Sequence, residues 1–361
     1  MLLNRSILRT CSLCALTLSS LAAIASEPRL DRVQMRRTII EAPNGTRTEA
    51  TDVNNAGVVV GAYNSPQLRA FAWTRSGGFV DLEGVVESEF SLAHAVNECG
   101  QVVGELDNHA VLWNTFDEVE DLGTLGGNVS VAAGINDRGD VVGYAQIIPG
   151  GRGAPFLWTE TEGMRPIVEC AGTSGIGRGI NNAREVVGIC NPATSFLPQA
   201  FFWSEATGRV DFPPLPGLTA TDAYAINDRG EVAVTATIRD PKFGGVVALK
   251  WIPRTQRVVF LRELGENFDV VGDINRFGWV AGATVDAAGI RRATAWLTPR
   301  VGFLIDPSLG TSSWASALND VGGIAGTITL GTRDHRAVLW EPPPIVARVL
   351  RKQGVGRCLR R

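Results

Sequence analysis

The sequence predicts an all-β fold, a seven-bladed β-propeller, and three observations support this prediction. Close variants of the decapeptide GINDRGDVVG (residues 134–143) occur seven times, and their asparagines are separated by 39 to 48 residues. An Ala-x-x-Trp segment follows nearly every copy. Almost no window has the 3.6-residue apolar period of a helix. A repeat of about 44 residues that holds several short strands is typical of a propeller blade, and an open β solenoid is the alternative.

The decapeptide predicts a β-hairpin. An apolar residue precedes Asn, two variable residues and, in six copies, a Gly follow it, and a β-branched run comes next. The Asn side chain can bond the backbone of a tight turn, and Gly takes the left-handed conformation that closes the turn. Pairs such as Val141-Val142 predict a second strand that is covered on both faces. The seven turn asparagines are Asn54, Asn97, Asn136, Asn181, Asn227, Asn275 and Asn319.

The remaining two strands of each blade are predicted from the segments that follow the hairpin. Ala-x-x-Trp predicts the third strand; it ends at Trp73, Trp113, Trp203, Trp251, Trp296 and Trp340, and the third copy has Pro155 in place of Ala and ends at Trp158. Short hydrophobic segments with an acid, such as FVDLEG, predict the fourth strand. Only six such segments lie between repeats, so we expect residues 37–42 to complete the seventh blade, with residues 345–350 as the competitor. The predicted propeller domain spans residues 26–344.

Two copies depart from the consensus of the repeat. Arg184 replaces the turn glycine of the fourth copy, and Val234 replaces the last glycine of the fifth. Residues that serve a function would interrupt a regular repeat. We therefore regard these copies, with their segments 191–199 and 239–245, as the first place to look for a site.

One stretch of the chain resembles a known family of repeats. Asp121–Gly127 (DLGTLGG), Ser130–Asn136 (SVAAGIN) and Gly139–Gly143 (GDVVG) are similar to the bacterial HAF repeat family of extracellular proteins. The tripeptide that names the family is not intact, and its nearest forms include His109-Ala110-Val111. The resemblance implies a secreted propeller-like repeat protein and carries no established activity.

The amino terminus indicates export. Arg5 and Arg9 precede an apolar run at Cys11–Ile24, and small residues end at Ala25, which is the pattern of a secretory signal peptide over residues 1–25. We expect a periplasmic or extracellular protein without a transmembrane segment. Without this peptide the chain has 32 basic and 37 acidic residues, a net charge of about −5. That balance gives no indication of a nucleic-acid partner.

The cysteines and the carboxyl terminus give weaker indications. Cys170 and Cys190 flank one turn-containing segment, so a disulfide between them is expected in an oxidising compartment. Cys99 and Cys358 either pair across the chain or are free.

Residues 345–361 form a basic tail without an acid. Two interpretations of this tail are contact with anionic polymers or lipid headgroups and a solvated, frayed end. Residues 346–352 could form one short helix outside the repeats.

The sequence indicates no catalytic, cofactor-binding or metal-ligating residues. The chain has three histidines, His94, His109 and His335. Beyond the expected signal peptide it lacks zinc-binding spacings, and the Gly-x-Ser-x-Gly elbow of hydrolases is also absent. The acids that recur after the third strand are interpreted as satisfied turn or strand-end carboxylates rather than calcium ligands; they are Asp81, Asp121, Asp211 and Asp306. Arg138-Gly139-Asp140 is interpreted as part of a hairpin turn rather than as an adhesion motif.

Two classes of function follow. The first is a non-catalytic binding or structural propeller at the bacterial cell exterior, a monomer that holds an extracellular protein or glycan; the regularity of the repeats favours it. The second is a hydrolase or lyase that acts on an extracellular glycan or peptide at the mouth of the central channel. Clustered polar residues with shifted pKa values around the channel would favour the enzyme. An evenly lined or apolar channel would oppose it.

Overall fold

The fold is described from a computed structural model. It covers residues 35–83, 88–170, 174–191, 197–239, 244–265, 268–307, 309–331, 334–352 and 358. The expected signal peptide, residues 1–25, lies outside these ranges. No helix within them is long and apolar enough to cross a membrane.

Seven four-stranded antiparallel sheets form seven blades. The first strands of blades 1 to 7 are β2 (Thr48–Val53), β6 (Ser91–Val96), β10 (Ser130–Ile135), β14 (Gly175–Ile180), β18 (Leu218–Ile226), β22 (Asp269–Ile274) and β26 (Ser313–Leu318). The second strands are β3 (Val59–Asn64), β7 (Val102–Leu106), β11 (Val141–Gln146), β15 (Val186–Cys190), β19 (Val232–Ile238), β23 (Val280–Val285) and β27 (Ile324–Thr329). The third strands are β4 (Leu68–Thr74), β8 (His109–Thr115), β12 (Gly153–Thr159), β16 (Gln199–Ser204), β20 (Gly245–Ile252), β24 (Arg291–Thr298) and β28 (His335–Glu341). The fourth strands are β5 (Gly78–Asp81), β9 (Glu118–Asp121), β13 (Gly163–Pro166), β17 (Gly208–Asp211), β21 (Arg257–Phe260), β25 (Val301–Leu304) and, in blade 7, β1 (Arg36–Ile40).

The two ends of the propeller meet in blade 7, which confirms the predicted seven-bladed ring. Strand β1 pairs antiparallel with β28, with Thr38 opposite Leu339, so the amino-terminal segment supplies the fourth strand. The competing segment is instead a helix, α1 (Pro344–Lys352). Among the described residues, a 3-10 turn also occupies Pro253–Thr255.

The turn asparagine organises each hairpin. In blade 3 the Oδ1 atom of Asn136 accepts the backbone N–H groups of Arg138 and Asp140, each at 3.0 Å. Gly139 closes the turn at a φ of 83°, a left-handed conformation that glycine adopts without steric cost. Arg184 occupies the same place in blade 4 at a φ of 58°. The predicted turn is therefore present in the divergent copy as well.

The last glycine of the decapeptide is required by a close approach between strands. A Cβ atom on Gly143 would lie 1.9 Å from the carbonyl oxygen of Val131 in the first strand of the same blade. The first strand of every blade contains an irregularity in register at this level, between Ala132 and Gly134 in blade 3. In blade 5, where Val234 replaces this glycine, the first strand has a second such irregularity.

The core lies between the blades. Seven clusters of buried side chains each join two adjacent blades, including the pair formed by blades 7 and 1. The second strands supply residues that are buried on both faces, as predicted from their β-branched runs; Val59, Val60, Val141 and Val142 are all 0% exposed. Ring closure thus buries apolar surface in every blade, which is the main stabilising term.

Candidate functional site

The first strands surround a central channel, because each of them contacts the first strands of the two neighbouring blades. The seven turns between first and second strands lie together on one face of the ring, which we call the Asn face. The connections from second to third strands lie on the opposite face.

The seven turn asparagines form a closed ring of hydrogen bonds. The side-chain amide of each one donates to the main-chain carbonyl oxygen of the asparagine in the next blade, and Asn319 donates to Asn54 across the closure of the ring. The seven N···O distances lie between 2.9 and 3.2 Å. All seven side chains are buried, with exposures of 3 to 6%. The asparagine therefore makes its own turn and also joins its blade to the next.

A second ring of polar side chains surrounds the channel mouth, at the position directly after the asparagine. Its members are Asn55, Glu98, Asp137, Asn182, Asp228, Arg276 and Asp320, and they line a cavity of about 210 Å³. At six junctions the backbone N–H of one member donates to the side chain of the next, at 2.7 to 3.1 Å. At the seventh junction the member after Asp228 is Arg276, and an arginine side chain has no hydrogen-bond acceptor. Sequence reasoning treated this position as variable and missed the ring.

Three carboxyl groups at the Asn end of the channel have raised pKa values. Burial, and then the charges of Asp137, Asp320 and Asp52, raise the pKa of Glu98 to about 8. Burial and the charge of Asp273 raise the pKa of Asp52 to about 7. Burial and the charge of Asp320 raise the pKa of Asp273 to about 6.

Asp52 and Asp273 interrupt the repeat. The corresponding residues of the other copies are small: Ala95, Gly134, Gly179, Ala225 and Ala317. Each aspartate accepts a backbone N–H of the following blade, Asp52 from Val96 at 2.8 Å and Asp273 from Leu318 at 2.9 Å. These carboxylates therefore join adjacent innermost strands.

The channel-lining position three residues before each asparagine differs in every blade. Its occupants are Thr51, His94, Ala133, Arg178, Tyr224, Gly272 and Ser316, all of them partly exposed. The Arg178 Nε atom lies 3.0 Å from Asp222 Oδ1, and the guanidinium is 4.9 Å from the centre of the Tyr224 ring. Burial, and then the charge of Asp222, raises the pKa of the Tyr224 hydroxyl. His94 Nε2 lies 3.6 Å from Glu105 Oε1.

The acids at or just after the ends of the fourth strands are individually paired. Asp81 accepts from the Tyr63 hydroxyl, Asp121 bonds the His109 ring, Asp211 accepts from Arg209 and Asp306 accepts from Arg37, at 2.6 to 2.8 Å. This geometry agrees with their interpretation as satisfied carboxylates. Among the described residues no group of three or more His, Cys, Asp or Glu side chains is placed to hold a metal ion.

Arg138-Gly139-Asp140 is built into the scaffold. Asp140 is only 3% exposed, and its carboxylate accepts two hydrogen bonds from the Arg184 guanidinium, both at 2.8 Å. Asn136 Nδ2 donates to the same carboxylate at 2.9 Å. A receptor could not reach this aspartate without breaking a blade junction.

The carboxyl-terminal segment lies on the Asn face. Helix α1 and the turns of blades 7 and 1 line a cleft of about 530 Å³, and Cys358 forms a disulfide with Cys99, which belongs to the turn of blade 2. Cys170 and Cys190 form the expected disulfide. Residues 345–352 of the basic tail are thus helical, and Cys358 is covalently attached to blade 2.

The two segments singled out in the divergent copies are only partly described. Residues 192–196 and 240–243 lie outside the described ranges, and the flanking residues connect second to third strands on the face opposite the Asn face. Asp52, Glu98 and Asp273 belong instead to the first, second and sixth copies. In the fifth copy, burial raises the pKa of Asp222, which pairs with Arg178 of the fourth copy.

Comparisons with known proteins establish the fold and nothing narrower. Neither a family model nor a curated protein matches the chain. An oligogalacturonate lyase in complex with manganese shares 10% identity over 87% of this chain and 98% of its own, with a TM-score of 0.56. YCF48 bound to a D1 peptide shares 12% identity over 87% and 97%, with a TM-score of 0.53. The propeller domain of the Trilobed protease from Pyrococcus furiosus, described as having an open velcro topology, shares 11% identity over 81% and 93%, with a TM-score of 0.50.

Proposed function

We propose that this chain is a secreted, non-catalytic binding propeller of the bacterial exterior that holds a glycan or a protein in its central channel. One observation carries the proposal. The asparagine that builds the ring is the same in all seven blades, whereas the lining position three residues before it is different in every blade.

This contrast is the pattern expected of a scaffold that presents a binding surface. Positions that the fold requires stay constant, and His94, Arg178 and Tyr224 supply an imidazole, a guanidinium and a phenol to the channel wall. Each is partly exposed. Concave sites with a few placed polar groups are the usual form of ligand sites in proteins.

The proposed location outside the cytoplasm has two supports. Residues 1–25 have the pattern of a signal peptide, and the four cysteines of the remaining chain form two disulfides, which persist in oxidising compartments. Membership of the HAF repeat family is part of the same proposal, since its repeats resemble residues 121–143 and are associated with extracellular proteins.

A glycan-array and peptide-array screen with the exported chain tests the proposal. We expect a saturable ligand whose affinity falls at least about tenfold in the triple variant His94→Gln, Arg178→Lys and Tyr224→Phe, which keeps the sizes of the side chains. The matched control is His109→Gln with Arg209→Lys, on outer strands. Equal binding by both variants would place the ligand elsewhere and refute the channel as the site.

A hydrolase or lyase is the second candidate, and the raised pKa values of Glu98, Asp52 and Asp273 favour it. A carboxyl group that titrates near neutral pH is suited to general acid–base chemistry. Against this, each of these groups accepts at least one backbone N–H, which gives it a structural role.

Incubation of acidic and neutral polysaccharides and of peptides with the exported chain, followed by chromatography of the products, tests the enzyme. A Glu98→Gln variant serves as the comparison because it keeps an acceptor for the Asn55 N–H. Turnover by the parent that Glu98→Gln abolishes would establish the enzyme and displace the binding proposal. Absence of products from every substrate would leave the binding propeller.

A further inference from the structure

A second concave site lies outside the channel, between helix α1 and the Asn face of blades 7 and 1. The cleft has a volume of about 530 Å³, which is within the range of small-molecule sites. Residues of the turns, such as Ala56 and Gly57, form one side, and Pro342, Pro343 and Pro344 contribute apolar ring surface.

The charge of the cleft is strongly positive. Among the described residues that line it are four arginines, Arg36, Arg75, Arg348 and Arg351, and one acid, Glu341. Glu341 is paired with Arg75 and lies 4.0 Å from Arg36, so the first two guanidiniums are partly neutralised. Arg348 and Arg351 are exposed on α1 and form no ion pair with a described acid.

Helix α1 is fixed above the cleft by two contacts. Leu350 is 6% exposed, and a Cβ atom added to Gly322 would lie 3.2 Å from its Cδ1 atom, so the side chain packs on the blade 7 turn. Beyond the helix, the Cys99–Cys358 disulfide attaches the chain to the turn of blade 2. The chain end is therefore held at both blade 7 and blade 2, on either side of blade 1.

We propose that this cleft binds a small polyanion, a molecule with two or more carboxylate or phosphate groups beside an apolar surface, and that the Cys99–Cys358 disulfide keeps the cleft assembled. Guanidinium groups pair with carboxylate and phosphate oxygens through two parallel hydrogen bonds. The cleft adjoins the channel mouth at Asn55 and Asn319, but its four arginines are not among the described residues that line that mouth, so the two proposals are tested separately.

The shape of the site favours a small anion over a membrane surface. A lipid bilayer presents its headgroups on a broad, nearly flat surface, whereas this cleft is recessed between a helix and the turns. Arg36 and Arg75 belong to the propeller wall, while Arg348 and Arg351 belong to α1. Only a ligand that enters between the helix and the wall can contact both pairs.

Titration calorimetry of the full exported chain with citrate and with inorganic pyrophosphate tests the proposal and distinguishes the carboxylate and phosphate sources. We expect saturable 1:1 binding of at least one of them. Affinity should fall at least about tenfold in Arg348→Ala with Arg351→Ala, and comparably in Cys99→Ala with Cys358→Ala. Anionic vesicles of phosphatidylglycerol provide the membrane arm.

Two matched controls separate this site from general charge effects. Arg257→Ala with Arg300→Ala removes two exposed arginines, one in β21 and one in the turn before β25. Cys170→Ala with Cys190→Ala removes the other disulfide. Neither double variant should change the affinity by more than about twofold. Circular dichroism checks that each variant is folded. The absence of saturable binding by the parent, equal losses in controls and test variants, or binding of vesicles alone would overturn the proposal.

Discussion

At the scale of single residues, the turn asparagine contributes to two structural levels at once. Its Oδ1 atom organises the hairpin, and its Nδ2 atom reaches the next blade. An aspartate could still accept the turn N–H groups, but it would face the carbonyl oxygen of the next asparagine with a second acceptor. Only the amide satisfies both neighbours.

Replacing Asn54 by Asp tests this argument. Leaving a buried acceptor without a donor costs about 1–3 kcal/mol, and more if the group is charged, so we expect the free energy of unfolding to fall by about 3 kcal/mol. Asn64→Asp, at an exposed position that ends β3, should change it by less than about 0.5 kcal/mol. Urea denaturation measures both, and equal losses would contradict the role of the blade-to-blade bond.

The two glycines of one decapeptide should respond differently to alanine. Gly139→Ala would place a Cβ atom on a backbone with a φ of 83°, and should cost about 1–2 kcal/mol. Gly143→Ala would place a Cβ 1.9 Å from a carbonyl oxygen, and should cost at least about 3 kcal/mol. The melting temperatures of the two variants measure both effects, and we expect that of Gly143→Ala to be the lower. A larger loss in Gly139→Ala would be inconsistent with the close approach of Gly143 to the Val131 carbonyl oxygen.

The raised pKa values around the channel predict how stability depends on pH. Glu98, Asp52 and Asp273 titrate near 8, 7 and 6 in the folded chain and near 4 when unfolded. The folded state therefore binds more protons than the unfolded state in this interval, and stability falls as pH rises. We expect a loss of several kcal/mol between pH 5 and pH 8, which chemical denaturation at a series of pH values measures. Asp52→Asn should flatten the slope, whereas Asp117→Asn, at an exposed residue, should leave it unchanged.

At the scale of elements, strand β1 closes the ring, and it buries only one of its two faces against blade 1. Ile40 is 0% exposed and lies in the cluster that joins blades 7 and 1, whereas its neighbour Ile39 is 36% exposed. Ile40→Ala should cost about 2–5 kcal/mol, because it leaves a cavity at the closure. Ile39→Ala should cost less than about 1 kcal/mol. Thermal unfolding followed by tryptophan fluorescence measures both, and comparable losses would show that closure does not depend on this buried face.

Elements were predictable where their cause is local. The Asn–Gly spacing determines each hairpin, and the Ala-x-x-Trp segment marks the third strand. Counting strands showed that the last blade needs one more strand, with residues 37–42 expected and residues 345–350 as the competitor. The ring of side chains from Asn55 to Asp320 was not predictable, because its bonds join residues of different blades. Nor could the sequence place α1 on the turns of blades 7 and 1, since that contact exists only after the ring has closed.

At the scale of the whole molecule, two connections join early segments of the chain to late ones. Strand β1 pairs with β28, and the disulfide between Cys99 and Cys358 links residues 259 positions apart. The sequence left the pairing of these cysteines open because so long a separation carries no local signal. Both connections restrict the separation of the first and last blades.

The two disulfides should therefore differ in their contribution to stability. In the chain-entropy description, a cross-link between residues 259 positions apart restricts the unfolded state by about 5.5 kcal/mol, and one between residues 20 positions apart by about 3.3 kcal/mol. We expect Cys99→Ala with Cys358→Ala to lower the free energy of unfolding by about 2 kcal/mol more than Cys170→Ala with Cys190→Ala. Guanidinium denaturation of both variants and the parent gives the comparison. A larger loss from the shorter bridge would mean that packing around Cys170 and Cys190, which are 8% and 1% exposed, outweighs the restriction that the long bridge places on the unfolded ring.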